Sequence, residues 1–211
     1  LTLAKNIIPV SNEYRTVGFA AKNHAPGIEM TGKTLGLIGM GRIGKHILHM
    51  CRDGLDMHVI VYDPYISEVP EGVEKVDDLS ELLRRADVVT LHCLLTDETR
   101  KLIDRERLAL MKPTALLINC ARGPIVDEAA LIEALENGRL AGAGLDVTDP
   151  EPLPADHPLR RAKNLLLTPH VAGNMTLGYT CDKSVQMFCD DLENYAAGRP
   201  LAHLVDRKRG Y

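Results

Sequence analysis

Residues Thr34-Leu35-Gly36-Leu37-Ile38 run directly into Gly39-Met40-Gly41-Arg42-Ile43-Gly44, and this junction decides the fold. A short apolar run followed by a glycine-rich turn that opens a helix is a strand–loop–helix unit. Gly39 permits the tight turn, Gly41 lets the backbone approach a pyrophosphate, and Gly44 lets helix and strand pack closely. The helix start, at Arg42 and Ile43, then offers N–H groups and its dipole to phosphate. Such a loop carries weight only in this context, inside a strand–helix–strand unit of about thirty residues. The acid the unit requires stands at Asp63, at the end of the next apolar run. A carboxylate there accepts hydrogen bonds from ribose hydroxyls and repels a 2′-phosphate. No Arg or Lys follows in Pro64-Tyr65-Ile66-Ser67, so NAD is expected over NADP.

Working outward, apolar runs resembling buried strands begin near Thr34, Met57, Asp87, Thr114, Ala141 and Asn164. Their spacing suits one strand, one helix and two turns per repeat. Continuous apolar runs, without polar alternation, imply strands covered on both faces. The fold class expected is therefore α/β, a doubly wound parallel sheet with flanking helices. Asp127 can cap a helix whose Ala130, Leu131, Ala134 and Leu135 form one stripe, with Gly138 as its stop. Ile43, Ile47, Leu48 and Cys51 give another stripe, with Gly54 as the stop. Leu177, Cys181, Val185, Phe188, Leu192 and Tyr195 recur at helical spacing up to Gly198, which predicts a long C-terminal helix. Residues 8–30 fit neither pattern and read as an extended arm, whose length calls for a partner surface or a function.

Composition narrows the class without naming a chemistry. The 211 residues are 45% hydrophobic and 26% charged, with a formal net charge of −4, as expected of a globular chain. No apolar run approaches the ~18 residues of a membrane span. The mild acidity argues against a nucleic-acid surface, and the basic cluster Arg207-Lys208-Arg209 reads as a solvated terminus. Five scattered cysteines, at 51, 93, 120, 181 and 189, suit a reducing compartment and argue against disulfides or a zinc site. No metal is expected, and the cytoplasm is the expected location.

Three further segments lie just past the ends of predicted strands: Asn119-Cys120-Ala121-Arg122-Gly123, Asp146-Val147-Thr148-Asp149-Pro150-Glu151-Pro152 and Thr168-Pro169-His170-Val171-Ala172-Gly173. In parallel α/β sheets that edge carries the ligand site. Singly, an Arg after a strand, a Glu-Pro in a loop or a His in a turn is ordinarily a surface charge or a cap. In this order they can converge beside a nicotinamide.

At these residues the sequence resembles the D-isomer-specific 2-hydroxyacid dehydrogenases. GMGRIG is similar to the family's phosphate loop, NCARGPIVDEAAL to the stretch with its catalytic Arg, and DVTDPEP and TPHVAG to those with its Glu and His. The resemblance implies a Rossmann-like fold, NAD as cofactor and a small 2-hydroxy or 2-keto acid as substrate. Its catalytic roles fall on Arg122, Glu151 and His170. It further places Gly39, Gly41, Arg42, Ile43, Gly44, Asp63, Pro64, His92, Thr96, Cys120, Ala121, Asp146 and Gly173 around the cofactor. Leu94 stands where the family usually has Pro, and Thr148 where an aromatic is common. The remaining histidines, at 24, 46, 49, 58, 157 and 203, are read as structural or exposed, and Cys120 as lining rather than nucleophilic.

The resemblance also implies an organisation. Residues 1–174 are expected to form the NAD-binding domain, with 8–30 as a dimerisation segment of a homodimer. Residues 175–211 are expected to form the helix and tail that return to a substrate domain. The chain opens at Leu1 on what reads as the end of an outgoing helix, so a substrate domain on the order of a hundred residues is expected to be missing. Such a chain should bind NAD with little turnover. One alternative is an NAD-sensing module of the corepressor type. A formate-type dehydrogenase is disfavoured by Glu151, where that branch usually carries Gln.

Overall fold

A computed structural model describes residues 1–23, 27–173 and 177–205. Within them the chain forms α1 (Ile7–Val17), β1 (Thr34–Ile38), α2 (Arg42–Leu55), β2 (His58–Tyr62), β3 (Val73–Lys75), α3 (Leu79–Arg85), β4 (Val88–Leu91), α4 (Arg105–Leu110), β5 (Leu116–Asn119), α5 (Glu128–Glu136), β6 (Gly142–Leu145), β7 (Leu165–Leu167) and α6 (Gly178–Ala196). The strands pair in parallel, in the order β3-β2-β1-β4-β5-β6-β7. The chain divides into two units, Leu1–Pro169 and His170–Tyr211.

Strand periodicity explains why the sheet is buried on both faces. In β1, Leu35 and Leu37 join one core with Val59 and Val61 of β2, Leu48 of α2 and Leu116 of β5. Ile38, Ile60, Val89, Leu91 and Leu117 join the opposite core with Leu82 and Leu83 of α3 and Leu131 and Leu135 of α5. Alternate residues of one strand thus feed two cores, which is why the runs read as continuous rather than alternating. Gly36 faces Leu82 and Ala86, where a Cβ would intrude to 2.5 Å.

Helix starts follow their caps. Asp78, Asp104 and Asp127 accept hydrogen bonds from Ser80, Arg107 and Ala130 N–H groups at α3, α4 and α5. All four apolar residues expected on the α5 stripe are buried, and Gly138 takes φ +65° just beyond it. Two local expectations are corrected. Gly54 lies inside α2, which ends instead at Asp56 with φ 52°; there the Asp56 N–H bonds the Cys51 carbonyl. Ile43 is 66% exposed, so the buried side of α2 runs through Gly44 and Leu48.

The segment expected as an extended arm is helical over Ile7–Val17, followed by a 3-10 turn over Gly18–Asn23. Pro9 falls in the first helical turn, where its missing N–H has no intrahelical partner to lose. No residue of α1 is buried, although Ile7, Val10, Tyr14 and Val17 recur at helical spacing. Before it, Leu1–Lys5 make one helical turn, closed by the Lys5 N–H on the Leu1 carbonyl at 2.9 Å. In the second unit, α6 likewise buries none of its residues, and the Asp191 carboxylate accepts the Ala202 and His203 N–H groups. His24 and the basic cluster at 207–209 lie outside the described residues.

Candidate active site

In this sheet the chain reverses direction of growth between β1 and β4, the switch point where parallel α/β sheets bind ligands beyond their strand ends. Gly39 leaves β1 at φ +90°, and a Cβ there would lie 2.6 Å from the Cys93 nitrogen. A Cβ on Gly44 would collide with the Gly39 carbonyl oxygen. These two glycines therefore let strand, loop and helix close on one another. Gly41 differs: a Cβ there would meet nothing within 4 Å, so the space above its backbone is open. Gly41 is also the N-cap of α2 and supplies no side-chain cap, whereas α3, α4 and α5 spend an Asp at that position. With Arg42 and Ile43 in its first turn, such an uncapped helix start suits an anion.

Asp63 follows β2 and closes the cradle. One carboxylate oxygen accepts the Met40 N–H at 2.8 Å and the other the Tyr65 N–H at 3.0 Å. Each oxygen keeps a further lone pair for a hydroxyl. An open, uncapped helix start beside a fixed carboxylate fits the pyrophosphate and ribose of a dinucleotide. Pro64 continues the same turn. Past β4, the His92 N–H bonds the Ile38 carbonyl at 2.8 Å, and its ring Nε2 lies 2.9 Å from Thr90 Oγ1. Burial pushes this imidazole down to about 4, so it is neutral near pH 7. Thr96 and Thr99 bond each other and fold the loop that follows.

The loop past β5 is built on one buried side chain. Asn119 is 1% exposed. Its Nδ2 donates to the Arg122 carbonyl at 2.9 Å and its Oδ1 accepts the Ala121 N–H at 3.0 Å. It thereby shapes Cys120, Ala121 and Arg122 into a turn, and the Arg122 side chain is left exposed. Desolvation raises the Cys120 thiol, and the Asp146 charge raises it further, which argues against a nucleophile. Past β6, buried Asp146 bonds the Asn119 carbonyl through its N–H at 3.0 Å and accepts Thr168 Oγ1–H at 2.5 Å. Thr148 donates to the Pro150 carbonyl at 3.0 Å. Gly123 packs so closely on the Thr148 carbonyl that a Cβ would overlap it.

Seven of the expected cofactor residues lie in the cradle or at Asp63 and Pro64, and Arg122 and Glu151 lie on the neighbouring strand exits. His170 and Gly173 belong to the second unit; His170 adopts φ 53°, uncommon for a residue with a Cβ. Among the described residues no three metal-ligating side chains cluster. The sequence signal for Asn119 is its place directly before Cys120-Ala121-Arg122.

The family model described as D-isomer specific 2-hydroxyacid dehydrogenase, NAD binding domain, matches residues 1–172. D-3-phosphoglycerate dehydrogenase of Methanocaldococcus jannaschii is 48% identical over 173 residues, 81% of this chain and 32% of that protein. Glyoxylate reductase of Korarchaeum cryptofilum is 40% identical over 185 residues, 86% of this chain and 54% of that one. The chain thus spans a third to a half of the length of these relatives. A crystal structure of a D-isomer specific 2-hydroxyacid dehydrogenase from Xanthobacter autotrophicus, in complex with NADPH and MES, matches with TM-score 0.83 at 31% identity, covering 100% of this chain and 84% of that one. With its loop geometry, sheet order and family match in agreement, the chain belongs to the D-isomer specific 2-hydroxyacid dehydrogenase family, through the family's NAD-binding domain.

Proposed function

We propose that the chain is the cofactor-binding part of an NAD-dependent dehydrogenase that moves a hydride between nicotinamide and a small 2-hydroxy or 2-keto acid. The observation that carries this is the open, uncapped cradle at Gly41 beside Asp63, on the sheet edge that also bears Arg122 and Glu151. When bound, the nicotinamide supplies or accepts the hydride. Gly39, Gly41, Arg42, Ile43 and Gly44 hold the pyrophosphate, and Asp63 with Pro64 holds the adenosine ribose. His92, Thr96, Cys120, Ala121, Asp146 and Gly173 line the nicotinamide side. Asp63, with no basic residue in the turn after it, supports NAD over NADP.

The planar guanidinium of Arg122 suits both the substrate carboxylate and its carbonyl oxygen. His170 gives the proton that the new alkoxide requires. Glu151 is assigned to orient that imidazole. The substrate class rests on relatives named glyoxylate reductase and hydroxypyruvate reductase. Residues 1–174 are assigned to the NAD-binding domain and 175–211 to the helix and tail that join a substrate domain.

A homodimer is supported by the exposed Ile7, Ile8, Tyr14, Val17 and Phe19 on α1 and the turn after it. Free cysteines suit the cytoplasm, and no described helix is long and apolar enough to cross a membrane. The full-length protein should consume NADH with glyoxylate, hydroxypyruvate or 3-phosphohydroxypyruvate. Glu151→Gln should move the alkaline limb of that reduction to lower pH, and Arg122→Ala should impair turnover far more than NADH binding. NADH binding with none of the three acids reduced would support the corepressor-type alternative instead.

A further inference from the structure

Glu128 opens α5 beside its cap Asp127, yet its side chain serves another segment. The side chain is 9% exposed, and Oε1 accepts the Asp149 N–H at 2.7 Å. Oε2 is enclosed, without a hydrogen-bond partner, and lies 3.9 Å from His157 Nε2. His157 Nδ1 accepts the Leu159 N–H at 3.4 Å, so the neutral ring carries its proton on Nε2, facing Glu128. One carboxylate therefore links the start of α5, the exit loop of β6 and the 3-10 turn at Pro158–Arg161.

A glutamine could accept the same N–H without burying a charge, and buried charge is costly. Desolvation pushes the Glu128 carboxyl up to about 7; the charges of Asp149 and Asp127 raise it too, and the Asp149 N–H pulls it down. Arg100 and Lys101 face it across the adjoining cavity, but Lys101 is paired with Asp127 at 3.0 Å. A group placed to ionise near neutral pH, bonded two residues from Glu151, is more than a loop tie.

We infer that Glu128 is a positioning residue, which fixes the Asp149–Glu151 segment and, through it, the Glu151 carboxylate, with a grip that depends on its own ionisation. This rests on the reading of Glu151 as the partner of the catalytic imidazole. The ionised form accepts the Asp149 N–H as a charge-assisted bond, and the protonated form accepts it more weakly.

The test uses wild type, Glu128→Gln and Glu128→Ala. In the isotope-labelled chain, the amide resonance of Asp149 is followed by NMR from about pH 5 to about pH 9. An inflection near about 7 is expected in wild type and in neither variant. In the full-length enzyme, Glu128→Ala should lower kcat for keto-acid reduction about 10-fold at unchanged NADH affinity, and Glu128→Gln should restore most of it. A flat Asp149 resonance in wild type, or an inflection that survives in Glu128→Gln, overturns the grip. Full kcat in Glu128→Ala, or equal losses in both variants, overturns the positioning role. Glu151→Gln, run alongside, tests the underlying reading: an unmoved pH profile removes Glu151 from the reaction and Glu128's catalytic part with it. The Asp149 resonance then separates that failure from a failure of the grip.

Discussion

The cradle after β1 and the loops after β5 and β6 share one edge of one sheet, but they are held in different ways. The cradle is built by removing side chains: Gly39 and Gly44 close strand on helix, and Gly41 leaves open space. The loops after β5 and β6 are built by burying polar side chains, with Asn119 bonding Ala121 and Arg122 and Glu128 bonding Asp149. A backbone-built site binds a shape common to many dinucleotides. A side-chain-built loop places one particular guanidinium or carboxylate, and its failure should touch chemistry before cofactor affinity.

Substitutions separate the two kinds of construction, and the largest effect is expected at Gly44. Gly44→Ala forces a Cβ into the Gly39 carbonyl and should cost about 3 kcal/mol or more, seen in denaturant melts together with loss of NADH binding. Gly41→Ala meets open space and should leave the melt within about 0.5 kcal/mol, while weakening NADH about 10-fold by crowding the pyrophosphate. Asn119→Ala leaves the Ala121 N–H without its acceptor at an expected cost of about 1–2 kcal/mol, and its turnover should fall more than its NADH affinity.

Glu128→Gln gives the most specific effect. Folded Glu128 keeps its proton up to about 7, whereas the ordinary value is 4.5. Folding therefore takes up a proton between those values, and stability falls as pH rises through that window. Glu128→Gln should remove that slope and gain about 2 kcal/mol at about pH 8 relative to about pH 5, read from urea midpoints. Parallel midpoints for wild type and variant would contradict the buried charge.

The legible parts of the molecule were those written in local pattern. The β1 boundary, the glycine loop and the α5 stripe each follow from periodicity and turn chemistry within a few residues. β3 was not legible, because Val73-Glu74-Lys75 is a three-residue edge strand with one apolar side chain. Neither was α1, which buries nothing and carries Pro9. Asn119, Glu128 and His157 had visible letters but no visible role, since each acts on a segment fixed only by tertiary packing. The buried Glu128 looked like an ordinary first-turn acid, a helix-dipole residue.

We propose Gly39–Gly44 and Asp63 as an NAD site. Calorimetric titration of this chain with NADH and with NADPH tests it most directly. One saturable site is predicted, tighter for NADH than for NADPH and weakened by Gly41→Ala; no saturable binding, or tighter binding of NADPH, would contradict it.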